Sequence, residues 1–83
     1  MATIERKVWL TFPKAQVGQP LIWEMAHKFE DLVFDIRQAS VTHDLGIMAV
    51  LLRGPQETVV TAIDFLRNRG LTVEPVEKNV IES

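Results

Sequence analysis

Two short apolar blocks, Phe34 to Thr42 and Gly46 to Leu52, flank a turn and lie between two stretches of helical periodicity. With an alternating block at each end of the chain, they impose the element order βαββαβ. In Ile4 to Phe12 the residues Val8, Leu10 and Phe12 share one parity, while Glu5, Lys7, Trp9 and Thr11 share the other, which is strand alternation. Trp9 therefore points away from the core side. From Pro20 to Phe29, Ile22, Met25, Ala26 and Phe29 recur at three- and four-residue spacing, the buried stripe of a helix. Between these two elements, Pro13 to Gln19 reads as a loop because Pro13 and Gly18 interrupt any period.

The second strand is marked by Phe34 and Ile36, then by Ala39 and Val41, as its buried side. The parity shifts once around Arg37 and Gln38, which a β-bulge explains. Before the shift, Asp35 and Arg37 share the opposite side and are placed to pair. His43 to Gly46 form the hairpin connection, and the third strand runs from Ile47 to Arg53. That strand is apolar on both parities, the pattern of a strand covered on both faces. Gly54 and Pro55 open a second helix with Val59, Ala62, Ile63 and Leu66 as its stripe, and Gly70 stops it behind Arg67 and Arg69. Leu71 to Val76 makes the fourth strand. A single domain spanning 1–83 is expected, with a core over 4–77 and a tail over 78–83.

With right-handed crossovers, this order gives an α+β ferredoxin-like sandwich: a four-stranded antiparallel sheet, its first and third strands central, with two helices on one face. Helices on one face leave the other bare. On that open face Trp9, Ile47, Ala49 and Leu51 are expected as neighbours, a contiguous apolar patch of the kind that marks an interface. The blander reading is scattered exposed apolar residues, which are common on protein surfaces.

Composition removes several functions. The 83 residues contain no Cys and two His, so disulfides, thiolate metal sites, iron-sulfur ligation and thiol nucleophiles are excluded and no metal site is expected. A formal net charge of −2 and scattered basic residues argue against nucleic-acid binding, and the third strand lacks the stacking aromatics of an RNA-recognition domain. The stretch from Pro13 to Gly18 holds a single Gly and a single Lys, too little for the phosphate cradle of an acylphosphatase. Neither a signal peptide nor an apolar run near the ~20 residues of a membrane helix is present, so a cytoplasmic protein without direct membrane insertion is expected. His27 on the first helix and His43 beside Asp44 have no evident nucleophile, and both read as solvated or helix-packing residues. Met25 and Met48 read as core filling, and Trp23 as helix surface or a docking contact. No catalytic residues emerge and no enzyme is expected.

The order Leu10-Thr11-Phe12-Pro13, Pro20-Leu21-Ile22, Phe34-Asp35-Ile36-Arg37-Gln38-Ala39-Ser40-Val41, Leu52-x-Gly54, Ala62-Ile63-x-Phe65-Leu66 and Gly70-Leu71-x-Val73-Glu74 resembles a NIL domain over nearly the whole chain. The resemblance implies an ACT-like, non-enzymatic regulatory module without a cofactor. Such modules sit at the C-terminus of ATPase subunits of methionine ABC importers, where they pair and bind methionine for feedback inhibition. Others are fused to iron-sulfur ferredoxin modules or stand alone. No ATPase precedes the first strand here and no cluster-binding Cys follows the last, so a stand-alone copy is expected, acting alone or through a partner.

The Asn-Ile-Leu signature of the family falls on Asp35, Ile36 and Arg37, of which Ile36 alone matches. The resemblance makes these three the expected ligand contacts. An ionised Asp only accepts hydrogen bonds, so Asp35 suits an ammonium, and Arg37 is able to grip a carboxylate. Equally, the two form a plain surface ion pair. Two roles follow: a homodimeric sensor of an amino acid such as methionine, or a protein-interaction module docking through Trp9, Ile47, Ala49 and Leu51 with no small-molecule ligand.

Overall fold

The structure, a computed structural model, describes residues 3–76. The expected tail 78–83 and the last position of the expected core lie outside the described residues. The elements follow as β1 (Thr3–Phe12), α1 (Lys14–Val17), α2 (Leu21–Lys28), β2 (Val33–Val41), β3 (Gly46–Pro55), α3 (Gln56–Asn68) and β4 (Thr72–Pro75). The four strands form one antiparallel sheet in the order β2-β3-β1-β4, as the βαββαβ reading requires. The molecule measures 37 × 33 × 18 Å, and the short dimension is one sheet plus one helix layer.

Alternation along β1 and β3 sets what is buried. Val8, Leu10 and Phe12 of β1 meet Val50 and Leu52 of β3 on the helix side, joined by Leu21 and Met25 of α2, Val59, Ala62 and Leu66 of α3, and Leu71 and Val73 at β4. Leu10, Val50, Leu52 and Val59 are fully enclosed, and no polar side chain is buried among the described residues. This is an oil-only core. Leu21 belongs to it although the expected stripe began at Ile22, which is only half-buried. A helix entering from Pro20 buries the first residue that faces the sheet, and here that residue is Leu21.

The loop expected over Pro13 to Gln19 contains the one-turn helix α1. The two residues that seemed to break periodicity are its boundaries: the Pro13 carbonyl accepts from Gln16 N–H at 2.8 Å, and Gly18 caps the other end. The second long helix also starts later than expected. Gly54 and Pro55 still belong to β3, with Gly54 opposite Ile4, and Pro55 is the cap rather than the first helical residue. Gly54 is buried, and a Cβ there would lie 3.0 Å from the Asp31 carbonyl oxygen, so the residue lets the chain before β2 cross close to β3. Gly70 ends α3 as expected, with φ of +96°.

The sheet places β2 at its edge, which corrects one expectation. Phe34 is half-buried, but Ile36, Ala39 and Val41, expected inside, are exposed. Their parity is as read, because Ile36 pairs with buried Val50 and Ala39 with Met48 on the helix side. Coverage is what differs: the eight-residue α2 is about 12 Å long, and it leaves the outer strand bare on the helix side. The expected bulge is present, since the register shifts between Ile36 and Gln38 and Arg37 is the extra residue.

Candidate functional site

The bulge determines how the signature residues are presented. Asp35 lies opposite Leu51 and Gln38 opposite Ala49, which puts both on the open face, while Ile36 points to the helix side. Arg37, the extra residue, turns its guanidinium to the open face as well, with Nη2 3.3 Å from Asp35 Oδ2. Both side chains are about half exposed, at 56% and 53%. In that setting the pair adds little stability, roughly 0–1 kcal/mol. Its two charges stay accessible to a ligand that can take both, and the half-buried Leu51 gives them an apolar neighbour.

The expected interface residues are also brought together. Trp9 stands opposite Ala49, with Ile47 opposite Thr11 and Leu51 opposite Lys7 on the neighbouring pairs. Ala49 is 2% exposed yet stands outside the helix-side core cluster, so its cover comes from the open face itself. Trp9 is half-buried across from it, and Ile47 is the most open of the four. The apolar patch is therefore smaller than its residue list suggests. Around it Glu5 and Arg53 form an ion pair at 3.2 Å.

A feature the sequence reading missed lies on the helix side. Between Pro20 to Trp23 at the start of α2 and the β2–β3 hairpin is an apolar cleft of about 160 Å³, floored by Phe12 and Met48 and flanked by Val41. It exists because α1 turns the chain under Val17 while β2 runs on past α2 uncovered. The only sequence signal for it was Val41, an apolar residue near the end of a strand with no helix long enough to reach it. A second shallow groove of about 220 Å³ runs between α3 and β1, with Arg6, Asp64 and Arg67 at its rim.

The histidines are engaged locally. The His27 ring packs on Trp23 with centroids 4.1 Å apart, and its Nδ1 lies 3.0 Å from the Trp23 carbonyl oxygen. His43 Nε2 is 3.7 Å from Asp44 Oδ1 in the exposed hairpin, where Thr42 Oγ1 accepts from the backbone of Asp44 and Leu45. No group of three or more His, Cys, Asp or Glu converges on a common point among the described residues. No described helix is long and apolar enough to cross a membrane.

Comparison with known proteins follows the same lines. The family model of the NIL domain matches residues 6–75. Among solved structures, the C-terminal domain of an ABC transporter ATP-binding protein from Enterococcus faecalis superposes with a TM-score of 0.75, over 89% of this chain and 86% of that one, at 20% identity. The de novo designed protein Foldit4 superposes with a TM-score of 0.58 over 94% and 100% of the two chains, at 9% identity. Identities this low establish a shared fold. No curated protein matches the chain.

Proposed function

Because the chain belongs to the NIL domain family, we propose that it is a regulatory module, without chemistry of its own, that works as a pair of copies and senses a small amino acid. The observation that carries this reading is the family match over residues 6–75, and the fold shared with the C-terminal domain of a transporter ATP-binding protein supports it. Asp35 and Arg37 are the contacts proposed for the ligand. A free amino acid carries an ammonium and a carboxylate on one carbon, and two opposite charges 3.3 Å apart on the open face match that pattern. Leu51 beside them favours an apolar side chain such as that of methionine. The cleft near Trp23 lies on the other side of the sheet, so it is not part of the same contact set. A cytoplasmic setting fits a module of this kind.

Docking of another protein on the open face is the competing reading, and it rests on Ile47, Leu51 and the exposed part of Trp9. Ala49 is already covered within one chain and Trp9 and Leu51 are half-buried, which leaves Ile47 as the one clearly exposed member of the patch, so the ligand reading is preferred. Titration calorimetry of the purified chain against the common amino acids separates the two. Heat of binding that is lost in Asp35→Ala and Arg37→Ala is expected, and silence for every amino acid up to millimolar concentration would remove the sensor reading.

A further inference from the structure

On the open face the sheet register sets three side chains in one row across three strands. Asp35 of β2 and Lys7 of β1 both stand opposite Leu51 of β3, one on each side of it. Neighbouring strands lie about 4.8 Å apart, so the Asp35 and Lys7 backbones are roughly 10 Å from each other, with the half-buried Leu51 between them. Lys7 is exposed, and alternation along β1 sends its neighbour Val8 into the core and Lys7 to the open face. No ion pair engages Lys7 among the described residues. The charges on the next row, Glu5 and Arg53, satisfy each other at 3.2 Å, and Glu74 stands a row away in the other direction, opposite Trp9.

A ligand held by Asp35 and Arg37 therefore meets a third charge. An amino acid with an uncharged side chain, methionine included, answers Asp35 with its ammonium and Arg37 with its carboxylate, and leaves Lys7 without a counter-charge. One anion and two cations are complemented in full by one ammonium and two carboxylates. We propose that the ligand is a dicarboxylic amino acid such as glutamate, its methylenes lying on Leu51 and its distal carboxylate on the Lys7 ammonium. The proposal rests on the reading of Asp35 and Arg37 as amino-acid contacts, and it adds the class of ligand and the residue that selects it. The spacing suits this class. Lysine carries its point charge on a flexible four-carbon stem, so Lys7 reaches back toward Leu51 to meet a carboxylate two or three carbons from the ligand's α-carbon. The same charge repels an amino acid with a cationic side chain.

The test is titration calorimetry of wild type, Lys7→Met and Lys7→Arg with L-glutamate, L-2-aminoadipate, L-methionine and glutarate. Lys7 is exposed, so the fold is expected to survive both changes, with circular dichroism as the check. Wild type is expected to bind the better of the two dicarboxylic amino acids about tenfold more tightly than methionine. Lys7→Met is expected to erase that preference while leaving methionine unchanged, and Lys7→Arg to keep it. Glutarate has both carboxylates and no ammonium to answer Asp35, and weak binding is expected. Methionine bound at least as tightly as either dicarboxylic amino acid, or a preference unmoved in Lys7→Met, would overturn the role of Lys7 and leave amino-acid sensing standing. Glutarate bound as well as glutamate would mean a plain anion site, and silence from every amino acid would mean no sensor; either result overturns both readings.

Discussion

At the scale of single residues, glycine and charge positions have separable roles. Gly70 ends α3 at a φ of +96°, a region that costs a residue with a Cβ, so Gly70→Ala is expected to lower stability by about 1–2 kcal/mol in urea denaturation. A change within 0.3 kcal/mol or so would mean that the turn relaxes freely. The ion pair between Glu24 of α2 and Arg69 behind α3 joins the two long helices near their surface, and Arg69 also lies over the Phe65 ring. Glu24→Gln should cost less than about 1 kcal/mol, because the pair is only partly shielded from water. Asp35 and Arg37 were legible in the sequence as neighbours on one side of a strand. Their closeness across the bulge was not, because it depends on the extra residue Arg37 turning its guanidinium back to the open face beside Asp35.

At the scale of elements, strands and long helices followed from periodicity, and even the bulge was visible as a change of parity at Arg37 and Gln38. The one-turn α1 was hidden because four residues are too few to show a period. Burial along β2 was hidden for another reason. Alternation tells which side a residue faces, and Ile36 and Val41 face the helix side, but only the tertiary arrangement tells whether a helix reaches them. That α2 stops short makes β2 the element whose apolar residues lack cover within one chain. Ile36→Asp, at an exposed position, is therefore expected to leave the far-ultraviolet circular dichroism and the urea midpoint nearly unchanged. Loss of the folded spectrum would instead place Ile36 in the core.

At the scale of the whole molecule, one helix layer on one sheet has to supply the entire hydrophobic stabilisation. Such domains are stable by roughly 5–15 kcal/mol, and Leu10→Ala, at a fully enclosed site, is expected to remove about 2–5 kcal/mol of that. A loss below about 1 kcal/mol in chemical denaturation would mean that the core around Leu10 collapses to fill the gap. The family and the fold were readable from the order of short motifs along the chain. The cleft beside Trp23 was not, since it depends on where α1, α2 and the β2–β3 hairpin end relative to each other. The regulatory reading proposed above takes two chains as its working unit. Light scattering of the wild-type protein across a dilution series tests that most directly. The account predicts the mass of two chains, falling toward one only at high dilution. A single-chain mass at every concentration would contradict it.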